Sequence, residues 1–447
     1  MSDQQIPSQG QDVGTPVRQT DQVSAATTGS SDSSGADGAG GSSTAQPSGS
    51  GWGGTLRDIT TGTVGISVLA VVIALVVGGV LIAVTDEDVQ AAAGYFFSRP
   101  GDLLGAVGRS VGGAYSALFQ GSVYNFRRPG FASGIKPLLE TLTFATPLIA
   151  GGLGVGLAFR VGLFNIGGRG QMLVAAAAAG WVGFSLDLPV GLHLIAAVLA
   201  GMAGGAVWGG LAGFLKARTG AHEVILTIML NYVALYLISF LLRTPGALQA
   251  PGTNNPKSPA IKETAVFPLI FGPQFSLHLG FIVVMVATVV VWWILNRSNL
   301  GFQFRAVGEN PSAARVAGIH VDRMYIYAML LSGGLLGLAG VAQVLGTVTT
   351  GFSSGIDAGI GFDAITVALL GRSRPFGIFV AGILFGAFKA GGFSMQAAQG
   401  VPIDIVLVVQ SLIVLFIAAP PLVRAIFRLP TPGSAPRSRA LRKAVAK

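Results

Sequence analysis

Residues Asn296 to Arg323 read NRSNLGFQFRAVGENPSAARVAGIHVDR, a polar interruption between two strongly apolar segments. Within it Gly308, Glu309 and Asn310 precede Pro311, the run SAARVA follows, and Gly318 comes next. Asn310 can accept hydrogen bonds from the free N–H groups of a helix start. Pro311 loses nothing at the first helical position, and Gly318 can take the left-handed conformation that ends a helix. The spacing predicts a helix of about two turns, too short to persist alone in water. Apolar neighbours must hold it from one side, while the small residues Ala313, Ala314 and Ala317 leave room for another protein on the other.

The surroundings of this loop read as membrane. Of 447 residues 51% are hydrophobic and only 11% charged, with 66 glycines. A soluble chain carries about a quarter charged residues, so most of this one must face lipid or other apolar helices. The expected fold class is an all-α polytopic membrane protein. With no cysteine, disulfides and thiolate metal sites are excluded, and the four histidines form no pair at metal-ligand spacing. The net charge of +9 would suit nucleic acid, but Arg424, Arg428, Arg437, Arg439, Arg442, Lys443 and Lys447 gather beside the final apolar run. Basic residues there mark a cytoplasmic end, so no nucleic-acid partner is expected.

Residues 1–54 are Ser, Gly, Gln, Asp, Thr and Ala with few large apolar side chains, and are expected to be a disordered cytoplasmic tail. They lack the positive start and early apolar run of a signal peptide. A first transmembrane helix is expected in 55–84, where the apolar run Gly62 to Val84 is long enough to cross roughly 30 Å of hydrocarbon. The segment 85–136 is expected outside, with an amphipathic helix from Leu103 to Phe119 on the outer surface, as a packing lid or as a surface for an external partner. Further spans are expected near 137–159, 171–187, 190–214, 223–242, 277–295, 324–348, 358–371, 375–392 and 402–420, ten with the first. Counting from an inside amino terminus puts Arg160, Arg169, Lys216, Arg218, the loop 296–323, Arg372, Arg374 and the basic tail 421–447 on the cytoplasmic face. The segment 358–371 is short and contains Asp363, as a broken or tilted helix would.

Gly201, Gly205, Gly209 and Gly213 repeat every four residues, as do Gly333 with Gly337 and Gly382 with Gly386, which reads as close helix packing. Polar residues in the spans are few, and each needs a partner or a water-filled cavity. Asn165 sits on a glycine-broken turn and Gln171 starts the next helix; Thr227 and Asn231 share a face in HEVILTIMLNYVALYL, His222 to Leu237. These four are the candidate contacts of a translocation pathway, with backbone bridging as the plainer reading of Asn165. Arg169 reads as an inside-facing anchor, and Lys389 and Gln396 as snorkelling or facing water. None of the seven lysines follows a glycine, so the phosphate-binding GxxxxGK[ST] is missing. The chain is therefore not expected to be an enzyme, and nucleotide-driven transport would require a motor in another subunit.

Three stretches together resemble the integral-membrane permease subunits of bacterial ABC importers, the ribose and branched-chain amino-acid permease superfamily. They are GLFNIGGRGQMLVAA (Gly162 to Ala176), HEVILTIMLNYVALYL, and GFQFRAVGENPSAARVAGI (Gly301 to Ile319), over about residues 130–420. The second is similar to permeases of the nucleoside branch. The resemblance implies a permease domain at 137–420 with a coupling loop at 296–323. Val307, Gly308, Glu309, Asn310, Pro311, Ala313, Ala314, Arg315 and Gly318 would receive the stroke of an ABC ATPase. It also implies a second permease of the same family, an external solute-binding protein or lipoprotein, a nucleoside as solute, and no cofactor in this chain. Arg169 stands where the family usually has an acidic residue. This charge reversal tells against an ion pair made by that acid, and points to one distinct half of a heterodimer. Ribose or another simple sugar is the alternative solute. An ion-coupled secondary transporter is the alternative class, with only Asp357, Asp363 and Asp404 available to it, all near expected span ends.

Overall fold

The computed structural model describes residues 63–427. The expected amino-terminal tail and the basic tail from residue 428 onward lie outside the described residues. Sixteen α-helices follow one another in the described part. They are α1 (Thr63–Thr85), α2 (Glu87–Ala93), α3 (Pro100–Ser122), α4 (Phe131–Gly134), α5 (Lys136–Arg160), α6 (Gly168–Ser185), α7 (Leu192–Thr219) and α8 (Glu223–Leu241). After a long irregular stretch come α9 (Gly280–Arg297), α10 (Asn299–Glu309), α11 (Pro311–Val316), α12 (Val321–Ala342) with a π-helical turn Gln343–Thr347, α13 (Ile360–Leu370), α14 (Pro375–Gln399), α15 (Ile403–Ala418) and α16 (Pro420–Ile426).

Six of the described helices are long and apolar enough to cross a membrane, and seven if α1 and α2, bent by 75°, count as one span. The chain is an all-α polytopic membrane protein. At eleven residues, α13 is about 16 Å long, well short of a bilayer's roughly 30 Å. It is a half-length helix with one face, Ile360, Gly361, Ala364, Val367 and Ala368, buried against its neighbours and Phe362 and Leu369 exposed. The amphipathic helix expected at Leu103–Phe119 is longer, and it packs lengthwise on α14 and also on α1 through Ala106, Ser110, Ala114, Ala117 and Gly121. Small residues at four- and three-residue spacing make this close packing possible, so α3 belongs to the bundle rather than lying apart from it.

At the centre α5 and α12 run antiparallel: Gly151 lies against Leu336 and Ala339, and Gly154 against Ser332. Helix α5 packs α13 and α14, while α12 packs α6 and α7. Each half of the bundle is thus a long central helix, a second helix entered through irregular backbone, and a long glycine-rich helix on the other half's centre. The four-residue glycine repeat of α7 faces α12. A Cβ at Gly205 would lie 2.4 Å from the Gly333 carbonyl oxygen, and one at Gly209 would lie 2.5 Å from that of Met329. Gly382 and Gly386 of α14 meet Ile149, Thr141 and Ala145 of α5 in the same way.

At the end of the bundle where α8 stops, the segment before α9 folds back through a Leu269–His278 bridge. His278 is fully buried and stacks on Phe267 at 5.5 Å. Its Nδ1 accepts the Gly280 N–H at 3.2 Å, and Nε2 lies over Gly346, where a Cβ would be 2.5 Å away. Burial lowers its pKa from 6.5 to about 4, so the folded chain holds it neutral.

Two outcomes are expected. Gly205→Ala forces two backbones apart and should cost about 1–3 kcal/mol, whereas Gly112→Ala in α3, where a Cβ meets nothing within 4 Å, should be neutral or slightly stabilising; thermal unfolding in detergent compares them. Below pH 6.5 the unfolded chain binds a proton at His278 that the folded chain refuses until about pH 4. Stability should therefore fall through that window by up to about 3 kcal/mol, and His278→Phe should flatten that part of the pH profile.

Candidate functional site

The glycine-broken turn between α5 and α6 draws the polar residues of the spans together. Helix α5 ends with Gly162 at φ +76°; the Gly162 N–H bonds the Phe159 carbonyl and the Leu163 N–H that of Ala158. This left-handed exit reverses the chain. The backbone then re-enters the bundle without helical hydrogen bonds until α6 begins at Gly168. Its depth follows from Asn165, whose Nδ2 donates to Ser332 Oγ at 2.9 Å. Ser332 stands eleven residues after Val321 in α12, about 16 Å along that helix.

Non-helical backbone at such depth must find partners inside the protein. Asn165 Oδ1 accepts the Gly167 N–H at 2.9 Å, and its amide exchanges a pair of 3.2 Å hydrogen bonds with that of Gln171. From α8, Thr227 Oγ1 accepts the Ile166 N–H at 3.3 Å. Asn231 spans the turn: its Nδ2 donates to the Ile166 carbonyl at 2.9 Å and its Oδ1 accepts the Gly170 N–H at 2.8 Å. The four expected pathway residues are therefore brought together, but Asn165, Gln171, Thr227 and Asn231 are all buried and occupied with one another and with the backbone. In this conformation they shape the turn from within. Ser332, which completes the set, was missed in the sequence because a lone serine beside glycines in an apolar helix carries no signal.

Arg169, in the first turn of α6, is only partly exposed. Its Nε donates to Asp357 Oδ1 at 3.3 Å, with the arginine side chain 31% and the carboxylate 6% exposed. Asp357 Oδ2 also accepts the Gly359 N–H at 3.3 Å. A Cβ at Gly361, in the first turn of α13, would lie 2.4 Å from the Arg169 backbone nitrogen, so the N-termini of α6 and α13 meet here. The reading of Arg169 as an inside-facing anchor is corrected to an ion pair: with the charge reversed here, the acid stands at Asp357, 188 positions along the chain. Lys389 is corrected likewise, since its Nζ reaches Asp363 Oδ2 at 2.7 Å instead of snorkelling. Both carboxylates flanking the start of α13 are thus paired with cations from other helices.

The second candidate surface is α10–α11. Ser298 caps α10 by accepting the Gly301 N–H at 3.1 Å, and Asn310 Oδ1 caps α11 by accepting the N–H groups of Ser312 and Ala313, both at 3.0 Å. Pro311 is the first helical residue, and Gly318 takes φ +84°. Helix α10 was missed, its eleven residues reading as a polar linker with glycines at both ends. It is held by the fully buried Phe304 and Val307, and by Gly308, where a Cβ would lie 2.3 Å from the Arg160 carbonyl oxygen. Among the nine expected docking residues, Val307 and Ala314, the latter 3% exposed, face the bundle and cannot meet a partner. Glu309, Asn310, Pro311, Ala313, Arg315 and Gly318 are exposed, as are Ala317 and Val316, the last at 91%.

The family model for the permease component of branched-chain amino acid transport systems matches residues 138–418. The guanosine ABC transporter permease protein NupP of Bacillus subtilis is 40% identical over 316 residues, 70% of this chain and 87% of that one. The nucleoside ABC transporter permease protein NupB of Lactococcus lactis subsp. cremoris is 37% identical, covering 62% and 78%. The glucose ABC transporter permease protein TsgB13 of Haloferax volcanii is 36% identical, covering 63% and 75%. No solved structure matches.

Asn231→Leu orphans two buried backbone groups and should cost roughly 1–3 kcal/mol for each, while Thr227→Val orphans one through a longer bond and should cost less. Chemical unfolding of the two variants in detergent reads the order, and a larger loss for Thr227→Val would contradict the assignment of Asn231 as the main support.

Proposed function

Since the chain belongs to the family of branched-chain amino acid transport permease components and is the membrane permease subunit of an ABC-type importer, we propose that its solute is a nucleoside. The observation that carries this is the matched length and identity with permeases named for guanosine and for nucleosides. A simple sugar is the second reading, favoured by the glucose permease at similar identity. An ABC ATPase supplies the hydrolysis, in keeping with a permease family that lacks nucleotide-binding motifs. A second permease and an external solute-binding protein complete the importer.

In this reading both termini are cytoplasmic, the domain 137–420 forms half of the pore, 85–136 is extracytoplasmic, and the ten passes include α6 and α13 as incomplete ones. The ATPase docks on the exposed face of α11 formed by Ala313, Arg315 and Val316. A push on α11 reaches α10 through the cap at Asn310, and α10 is wedged against the end of α5 at Gly308. Helix α5 in turn adjoins α12 and α13, which frame the turn at Asn165–Gln171. Docking would thereby tilt the turn as a unit, changing which side of the membrane the pore admits. The buried amides position that turn, and solute contacts come from groups that line the pore. The charge pairs at Arg169 and Lys389 weigh against an ion-coupled relay, because Asp357 and Asp363 are each already paired with a cation and Asp404 is exposed.

The complex, reconstituted in vesicles with its ATPase, second permease and binding protein, should accumulate guanosine only with ATP. Ala313→Trp should cut solute-stimulated hydrolysis and uptake by an order of magnitude while leaving the melting temperature unchanged. Uptake driven by an ion gradient without ATP would overturn the importer reading, indifference of the binding protein to nucleosides would overturn the solute, and normal coupling in Ala313→Trp would overturn the docking face.

A further inference from the structure

Where α5 and α9 end, beside the middle of α10 and the start of α14, there is a cavity of about 430 Å³, lined by Arg160, Arg305 and Arg374 together with Trp292, Asn296 and Phe376. No Asp or Glu lines it, and none of the three arginines makes an ion pair among the described residues. Arg160 is held in place because its Nε donates to the Ser373 carbonyl at 2.9 Å, and Arg305 donates to the Leu295 carbonyl. Those bonds use only one N–H of each guanidinium, leaving the remaining donors without an acceptor among the described residues. Arg374 and Arg305 act on Arg160 as like charges. Three cations around one hollow, two of them held in place, repel one another unless an anion lies between them. The cavity also adjoins Pro375, Phe376 and Gly377, the first turn of the 25-residue helix α14, where the Phe376 and Gly377 N–H groups have no partner within the helix and the dipole favours negative charge.

The side facing away from the bundle is apolar. Val286, Val290 and Trp293 on α9 and Phe376 and Val380 on α14 are exposed, and Trp292 packs on Phe376 at 6.0 Å, so the two helices carry a continuous apolar surface to the arginines. Aromatic rings beside basic groups at the end of spans suit the level of lipid headgroups. A soluble anion has no use for that surface, whereas the acyl chains of a lipid do. We infer that this cavity binds the phosphate of an anionic phospholipid, held by Arg160, Arg305 and Arg374, with its acyl chains along α9 and α14. The inference does not depend on which solute the permease carries.

The full-length chain, delipidated in detergent, is titrated with phosphatidylglycerol or phosphatidylcholine of equal chain length, and bound lipid is counted by native mass spectrometry. Wild type should retain one phosphatidylglycerol in preference to phosphatidylcholine. Arg305→Gln with Arg374→Gln should weaken that binding tenfold or more, and Arg372→Gln, two residues from Arg374 but outside the cavity, should not. Should the double variant fail to fold, the exposed Arg374→Gln alone must still lower the preference. Equal retention of both lipids, or no effect of the cavity arginines, overturns the site. Displacement of the lipid by millimolar inorganic phosphate overturns lipid as the source. So does expulsion of the lipid by the partner ATPase with a weakened ATPase complex in the arginine variants, which would assign the cavity to a protein carboxylate.

Discussion

A peptide group without a hydrogen bond is scarcely tolerated away from water, and the turn Leu163–Gly168 places several at mid-depth. Everything polar that the spans contain near it is committed to that problem. Asn231 serves a carbonyl and an N–H on either side of the turn, and Thr227 serves another N–H. Asn165 and Gln171 tie the turn to α12 through Ser332. The glycines follow from the same constraint: Gly168 and Gly170 lie too close to α13 and α8 to carry side chains, which lets the short polar groups reach the backbone. One irregular loop thus fixes the relative positions of α6, α8, α12 and α13.

Much of the bundle could be read from composition and periodicity, because apolar runs of span length and four-residue glycine repeats report local facts. The caps of α11 were equally readable, since Asn310, Pro311 and Gly318 each act within three or four residues of their own position. The faces were harder. Ala313 and Ala314 look alike in sequence, and only the packing of α11 against the bundle makes one exposed and the other buried. Pairings between distant segments were not readable at all. Arg169 and Asp357 are 188 positions apart, and the count of loops set Arg169 at a surface because it assumed that every chain reversal occurs outside the hydrocarbon.

The re-entrant turn also changes the meaning of the polar residues. A polar group in a span is often taken as a contact for the transported molecule, yet here the hydrogen bonds of the buried amides are already made. A solute would have to break them, and the orphaned backbone groups would cost about as much as the new contacts supplied. A route for weak, transient contacts is better built from exposed groups beside the turn than from the amides inside it.

The charges around α13 obey the same logic. This helix is too short to span, so its N-terminus lies inside the bundle with unpaired N–H groups and a positive dipole end. Asp357 and Asp363 sit at that end, where negative charge is favoured, and Arg169 and Lys389 balance them from α6 and α14. Removing any one of the four would leave a largely buried charge without its counterpart, which is far more costly than removing a pair. The half-helix, its two carboxylates and their two cations therefore form one electrostatic unit, and α6 and α14 are tied to each other through α13. A displacement of α5 against α13 must move that unit whole or break it, and with one ion pair joining α6 of one half to the start of α13 and the other joining α13 to α14, moving it whole is the cheaper course.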